Sequence, residues 1–313
     1  MKVTFTEKLF FLQNASQGKF FVMSIMPSEG IPLGIIQIMH GMAEHALRYR
    51  ELGIYLANHG FGLVAADHPG HGQSAVNPEH LGLMPPNGWE VMLDNAHNLF
   101  FHIRTNYSDV PVFLFGHSMG SVLAQHFAAY YPVYLQGLIL SGSFQVPTVN
   151  LLLMNAFVGL QSLIWGQDKK SKFFNRLFFS KFNLKFNQGT TGFEWISSNN
   201  DEVMSYVKDP FCGFDCSIGF YRNLGRGILE MKKNNQKLKY RKTLPLLIFS
   251  GDEDPVGNYG KDAIAIHEYF YKQHFQNLSV KIFHGRHELL HDTNKNKVFE
   301  FLLNWMLEHL HVK

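Results

Sequence analysis

The sequence predicts an α/β protein: a mostly parallel central sheet flanked by helices, with an inserted helical segment. Short continuous apolar runs, which are typical of strands buried on both faces, recur along most of the 313 residues. They alternate with stretches of helical periodicity, and the alternation breaks down between residues 144 and 225. Alternating strands and helices form three-layered sandwiches, so the break indicates an insertion into such a core.

The N-terminal segment predicts an antiparallel edge of the sheet. Val3–Gln13 and Lys19–Met26 are both strand-like runs. The connection between them contains Asn14 and Gly18, which readily adopt the backbone angles of a hairpin turn. We therefore expect a hairpin here.

Six apolar runs after Pro32 predict the buried strands. They are Gly34–Met39, Gly62–Ala66, Val112–Phe115, Leu138–Leu140, Leu244–Ser250 and Leu278–Phe283. Between them, apolar residues in 92–103 and 298–306 recur with the period of a helix. These elements predict a core that consists of residues 1–143 and 226–313.

Residues 144–225, which we call the cap, show no buried-strand pattern but contain clusters of Phe, Leu and Trp. The most apolar stretch, Leu151–Trp165, is interrupted by Asn155, Gln161 and Ser162. It is shorter than the roughly 20 residues that span a bilayer. We therefore predict an amphipathic helix in a lid over the core.

The composition excludes several classes of protein. A hydrophobic fraction of 46% argues against disorder, and a net charge of +3 is too small for a nucleic-acid-binding surface. Cys212 and Cys216 match neither a redox motif nor a zinc site, so we expect free thiols. The N-terminal residues carry charges where a signal peptide needs an apolar run, which predicts a cytoplasmic protein.

A Gly-His-Ser-Met-Gly motif, Gly116–Gly120, follows one predicted strand and precedes a predicted helix, Val122–Tyr131. A turn this sharp leaves no space for side chains at its two glycines and exposes the serine in strained backbone. A serine hydroxyl is protonated at neutral pH, so it needs a base that an acid orients. We predict that Ser118 is a nucleophile and that its partners follow later in the chain.

Three acids follow the predicted strand Leu244–Ser250: Asp252, Glu253 and Asp254. Loops at the carboxyl ends of strands form the sites of open α/β sheets. We predict Asp254 as the catalytic acid, because Pro255 restricts the residue before it to extended backbone.

The loop after the last predicted strand supplies the expected base, His287. A metal site formed by His284, His287 and His291 is the alternative interpretation. Their spacing lacks the helical HExxH order of zinc proteases, and Gly285 interrupts the segment, so we predict no metal.

The carbonyl oxygen of a substrate needs two hydrogen-bond donors where charge develops. We predict the backbone N–H groups of Met119, just after the nucleophile, and of Met42, after the strand that ends at Met39. His40 and the glycine-rich loop Asp67–Ser74 are expected to support this region structurally.

Several motifs occur together in this chain. They are His40-Gly41-Met42-Ala43-Glu44-His45, Asp67–Ser74, Gly116–Gly120, Gly251-Asp252-Glu253-Asp254-Pro255-Val256 and, in the cap, Trp195-Ile196-Ser197 and Asp209–Phe214. Together they resemble the monoacylglycerol lipase and lysophospholipase family. The resemblance implies an α/β-hydrolase fold with a lid, a triad of Ser118, Asp254 and His287, and an oxyanion hole at Met42 and Met119. Pro69 and Ala43 depart from the family pattern, which affects expectations of substrate preference.

The expected function is hydrolysis of carboxylic esters of lipid-like substrates, monoacylglycerols or lysophospholipids, without a cofactor. A short-chain carboxylesterase, a thioesterase, an acyltransferase, a serine aminopeptidase and a non-catalytic binding protein of the same fold remain alternatives. Within the cap we expect Leu151, Phe157, Leu160 and Trp165 to bind the acyl chain and the apolar surface to contact a membrane. Packing of the cap on the core is the alternative, and the oligomeric state stays open.

Overall fold

An eight-stranded mixed sheet forms the centre of the protein. The structure is a computed structural model that describes residues 5–14, 18–130, 135–173, 181–186, 189–237 and 240–310. The strands are β1 (Phe5–Asn14), β2 (Gly18–Pro27), β3 (Ile35–Met39), β4 (Gly62–Ala66), β5 (Val112–His117), β6 (Gly137–Ser141), β7 (Leu246–Gly251) and β8 (Leu278–Phe283). Their order is β1-β2-β4-β3-β5-β6-β7-β8.

The sheet is parallel from β4 to β8 and antiparallel at one edge. β1 pairs with β2, and β2 pairs with β4, in antiparallel register, while every other pair is parallel. This confirms the predicted mostly parallel sheet and its hairpin edge. One expectation was wrong: β8 is only partly buried, because it is the edge strand and has a neighbour on one side only.

Helices cover both faces of the sheet, as predicted. They are α1 (Arg50–Ala57), α2 (Gly88–Asn106), α3 (Met119–Tyr130), α4 (Thr148–Trp165), α5 (Asn200–Lys208), α6 (Ile218–Lys237), α7 (Lys261–Lys272) and α8 (Lys295–Glu308). Apolar residues of α1 and α8 pack on one face. Those of α2, α3, α6 and α7 pack on the other face, which completes three layers.

The carboxyl ends of the parallel strands all lie on the same side of the molecule. The loops after β3, β5, β7 and β8 therefore lie next to one another, although up to 240 residues of chain separate groups that touch there. Each of these four loops carries one of the predicted site residues. The chain can therefore assemble a site at the carboxyl ends of these strands.

The cap region contains α4 and α5, and α6 runs across its predicted end at residue 225 without a break. Helix α4 packs against α6 and buries only a narrow stripe: Leu151, Val158 and Ser162. Within the described residues, α4 is the one helix that is long and apolar enough to cross a membrane, judged by length and composition alone. Only 11% of its most apolar window is buried in the protein.

Candidate active site

The sharp turn between β5 and α3 presents Ser118. Its φ is +51°, a left-handed conformation that residues other than glycine rarely adopt. Its N–H donates to the carbonyl of Ser141 at 2.9 Å. A Cβ on Gly116 would collide with the carbonyl of Gly120, and a Cβ on Gly120 would collide with that of Met39. Only glycine fits at both positions, so the turn forces the serine into strained backbone.

The loops after β7 and β8 bring Asp254 and His287 into contact. His287 Nδ1 lies 2.9 Å from Asp254 Oδ1, and the two side chains are 3% and 0% exposed. An Nδ1 proton shared with the carboxylate leaves Nε2 as the basic nitrogen of the ring. Asp252 instead contacts the exposed ring of His284, at 3.2 Å, and the N–H of Gly285.

The remaining candidates of these two loops have other partners. Glu253 Oε2 lies 3.6 Å from Arg286 Nε at the surface. His291 Nδ1 faces Glu202 Oε2 at 3.7 Å. Of the three acids considered from the sequence, the structure therefore brings only Asp254 to the predicted base.

The electrostatics of the pair suit a general base. Burial alone would raise the pKa of Asp254. The charge of His287, its hydrogen bond and two backbone N–H groups have the larger effect, so the pKa of Asp254 lies below its ordinary value. Burial alone would lower the pKa of His287. The negative charge and hydrogen bond of Asp254, followed by the charges of Glu288 and Glu44, have the larger effect and raise this pKa. The imidazole is thus a stronger base than an isolated histidine.

Met42 and Met119 line the same cavity as Ser118 and His287. Met119 is the first residue of α3, so its N–H is one of the N-terminal amides that have no acceptor within their own helix. Met42 lies in the loop after β3, next to β5 in the sheet. Both residues therefore border the cavity in which a substrate carbonyl would have to bind beside the serine.

His40 and Asp67 anchor the loop after β3. His40 Nε2 accepts the N–H of His68 at 3.0 Å, so Nδ1 carries the proton and donates to the Gly41 carbonyl at 2.8 Å. Burial lowers the pKa of His40 well below its ordinary value, which keeps the ring neutral. Asp67 Oδ1 accepts the N–H of Ala46 at 2.7 Å. These contacts correspond to the supporting role predicted for both residues.

A buried ion network that the sequence interpretation missed lies between the two loops. Arg48 donates to both carboxylate oxygens of Glu288, at 2.7 and 2.6 Å, and to Glu44 at 3.2 Å. Glu44 Oε1 in turn accepts the N–H of Gly41 at 2.5 Å and the hydroxyl of Tyr49 at 3.1 Å. The i, i+4 spacing of Glu44 and Arg48 was the signal available in the sequence.

Two rings that the sequence interpretation also missed hold the base between them. The ring centroids of His117 and Trp195 lie 4.7 and 5.3 Å from that of His287. His117 is buried, and burial, followed by the charge of His287, lowers its pKa to about 3. It therefore stays neutral and restricts the rotation of the base without competing for protons.

A cavity of about 260 Å³ adjoins Ser118 and His287. Most of its lining is apolar: Met42, Met119, Phe144, Val146, Leu151, Met154, Phe182, Trp195, Leu224, Ile228 and Val256. The polar lining includes Glu44, Tyr206 and Glu288. The cavity thus combines a hydrophobic space with hydrogen-bonding groups next to the nucleophile.

The structure separates the four cap residues that were expected to bind substrate. Leu151 lines the cavity. Phe157, Leu160 and Trp165 lie outside its lining and are 44%, 56% and 56% exposed. The reason is the rotation of α4, which turns the stripe through Leu151 inward and these three side chains toward solvent.

Three comparisons relate this arrangement to known proteins. The profile of the serine aminopeptidase S33 family matches residues 30–294. Monoglyceride lipase of Mus musculus is 26% identical over 279 residues, which cover 88% of this chain and 82% of that protein. These findings confirm the family resemblance inferred from the motifs.

Solved structures show the same fold. A thermostable carboxyl esterase from Bacillus coagulans superposes with a TM-score of 0.84 at 27% identity, covering 98% of this chain and 99% of that one. A monoglyceride lipase from Saccharomyces cerevisiae superposes with a TM-score of 0.74 at 17% identity, covering 99% and 98%. Since the family profile spans the serine turn and the loops of both partner residues, the chain belongs to the serine aminopeptidase S33 family of α/β-hydrolases.

Proposed function

We propose that this protein hydrolyses carboxylic esters of lipid-like substrates, with monoacylglycerols as the preferred class, through an acyl-enzyme on Ser118. The cavity carries the proposal, because it joins an apolar space of about 260 Å³ to the serine and to the His287–Asp254 pair. The similarity to a monoglyceride lipase and to a carboxyl esterase supports an ester as the bond that is cleaved.

The proposed reaction begins when His287 Nε2 removes the proton from Ser118 Oγ as this oxygen attacks the ester carbonyl. Asp254 stabilises the imidazolium that forms, and the N–H groups of Met42 and Met119 stabilise the charge on the carbonyl oxygen. The imidazolium then protonates the leaving alcohol, which leaves the acyl group on the serine. A water molecule that His287 deprotonates attacks the acyl-enzyme, and the imidazolium returns the proton to Ser118 Oγ as the acid is released.

The charges around the cavity favour a neutral alcohol over a phosphodiester. Glu44 and Glu288 provide two carboxylates, and the single charge of Arg48 is shared between them. The excess negative charge suits hydroxyl groups that donate hydrogen bonds, such as those of glycerol. It repels the headgroup of an anionic lysophospholipid, which is therefore the weaker substrate in this proposal.

The cap is proposed to act as a lid that touches a membrane surface through α4. Its outward side carries Val149, Leu152, Leu153, Phe157, Leu160, Leu163, Ile164 and Trp165, each at least 44% exposed. Helices with such a face lie in the interface between lipid headgroups and acyl chains. The protein is thus proposed to be peripheral, and its two free thiols support a cytoplasmic location.

Turnover of four substrates tests the proposed function: a monooleoylglycerol, a lysophosphatidylglycerol, a long-chain acyl-CoA and an aminoacyl arylamide. We expect the monoacylglycerol to give the highest kcat/KM and Ser118→Ala to abolish both turnover and labelling by a fluorophosphonate. Cleavage of the arylamide alone would identify a peptidase instead. An unlabelled wild-type protein without turnover would indicate a binding protein.

A further inference from the structure

Beside the catalytic loops, the described part of the chain contains one group with the donor types of a metal site: His45, Asp209 and Cys212. One ligand atom of each residue lies within 4.8 Å of the other two. His45 Nε2 is 2.8 Å from Asp209 Oδ2, and Cys212 carries a free thiol. We propose that these three side chains form a zinc site through which the metal inhibits the hydrolase.

The donor set determines which cations fit. Imidazole nitrogen, carboxylate oxygen and thiolate sulfur are the ligands of Zn²⁺, whereas Mg²⁺ and Ca²⁺ require oxygen ligands. Three protein ligands leave the fourth tetrahedral position to water. On binding, the Cys212 thiol releases its proton to solvent and its sulfur donates an electron pair to the ion.

The charges around the site favour a cation, although Arg48 lies nearby and burial raises the pKa of the Cys212 thiol. The guanidinium is already paired with Glu288 and Glu44, so these three groups together carry an excess of one negative charge. Asp209 adds a second negative charge next to His45. Asp209 also lines a cavity of about 340 Å³, so one of the three ligands borders an open space beside the site.

The three ligands connect two parts of the catalytic structure. His45 belongs to the loop that carries Met42, whereas Asp209 and Cys212 follow α5 in the cap. The same segments already touch at Ala43, whose carbonyl accepts the Tyr206 hydroxyl at 2.9 Å and the N–H of a cap glycine at 3.0 Å. A displacement of the cap segment is therefore transmitted to the loop after β3.

Zinc binding has to rearrange this group. Ligand atoms around a tetrahedral zinc ion lie about 3.6 Å apart, given metal–ligand distances of about 2.0–2.3 Å. Here His45 Nε2 and Asp209 Oδ2 are only 2.8 Å apart, so an ion bound to both must move these two atoms apart. Moving the His45 side chain away from Asp209 shifts the loop of Met42, and a misplacement of about 1 Å near a reacting group can lower a rate about 100-fold. Inhibition is the expected result.

The competing interpretation is an ion pair between His45 and Asp209 that only fastens the cap to the core. An ion pair of this kind needs no thiol and binds no metal. Cys212 therefore distinguishes the two interpretations, and Cys216, which is buried in the core four positions later, provides a matched control.

Cobalt titration of the full-length protein tests binding independently of activity. Co²⁺ bound to a thiolate gives a charge-transfer absorption in the near ultraviolet, which we expect in wild type and Cys216→Ala but not in Cys212→Ala. Asp209→Asn, which can still accept a hydrogen bond from His45, should weaken Co²⁺ binding at least tenfold. Absence of the thiolate band in wild type would overturn the proposal.

Kinetics with Zn²⁺ then tests the regulatory part. Zn²⁺ should lower kcat of wild type and Cys216→Ala more than tenfold, with Mg²⁺ as the inactive control. Cys212→Ala should keep the basal kcat. The Zn²⁺ concentration that inhibits it should rise at least about 100-fold, because the loss of a ligand costs more metal affinity than the loss of a residue that only contacts a ligand. Equal inhibition of Cys212→Ala would locate the inhibitory ion elsewhere, for example at His287, and would overturn the proposal whatever the substrate is.

Discussion

Arg48 donates to both carboxylate oxygens of Glu288, the residue that follows His287, at 2.7 and 2.6 Å. The same guanidinium reaches Glu44, which holds the N–H of Gly41 in the loop after β3. One buried cation therefore connects the loop of the base to the loop of the proposed oxyanion donor. Because these groups are buried, salt screens them little, and their charges act directly on the imidazole.

Replacing Glu288 should change the pH dependence of catalysis. The base acts only as neutral imidazole, and Glu288 helps to raise the pKa of His287. Glu288→Gln removes this negative charge, so the pKa of His287 falls and the acidic limb of the kcat/KM profile moves to lower pH. The measurement is kcat/KM against pH on a water-soluble ester. Glu253→Gln, at the surface, is the control, and an acidic limb shifted equally in both variants would contradict the assignment.

Asp254→Asn should leave the fold intact and nearly abolish turnover. An amide in place of the carboxylate favours the wrong tautomer of His287, and this change costs about 10⁴-fold in kcat in triad enzymes. Single-turnover kinetics with a 4-nitrophenyl ester measure the acylation step. Asp252→Asn, which affects a residue bonded to the exposed His284, should retain wild-type kcat. If Asp252→Asn lost turnover and Asp254→Asn kept it, Asp252 would be the catalytic acid instead.

Filling the cavity should shorten the preferred acyl chain. Leu224→Trp inserts a ring into the apolar lining of the cavity. If the ring excludes three methylene groups of the acyl chain, at about 0.8 kcal/mol each, kcat/KM for long chains falls about 50-fold. Activity on acetyl and butyryl esters should remain. Leu160→Trp, outside the cavity lining, is the matched control. If both variants keep the long-chain preference, the acyl group binds somewhere else.

Polar substitutions on the outward side of α4 should weaken binding to vesicles. Leu163 and Ile164 are 86% and 61% exposed, and burial of each side chain in lipid contributes about 1.5 kcal/mol or more. The double variant Leu163→Gln, Ile164→Gln should therefore partition about 100-fold less into phosphatidylcholine vesicles. Hydrolysis of a soluble ester should not change. Ile31→Gln is the control, because it alters a residue that is 80% exposed and precedes the amino end of β3, whereas α4 follows the carboxyl end of β6. Identical sedimentation of all three proteins would remove α4 from the contact.

Local patterns in the chain were sufficient to predict the sheet and the turn at Ser118, and to select Asp254 over Asp252 as the candidate acid. Each depends on neighbours in sequence: a continuous apolar run, two glycines around a serine, a proline after an acid. The edge position of β8 was not predictable in this way, because the number of neighbours that a strand has is a property of the whole sheet.

The amino-acid sequence by itself determined the strands, four of the helices and the three loops from which the proposed triad comes, since steric limits on backbone and apolar periodicity act over a few residues. Only the tertiary structure decided which groups meet. The Arg48–Glu288 pair joins residues 240 positions apart, and the rotation of α4 selects Leu151 for the cavity while leaving Trp165 outside it. The physical reason is that an ion pair or a buried face depends on what packs opposite, and that partner is supplied by distant parts of the chain.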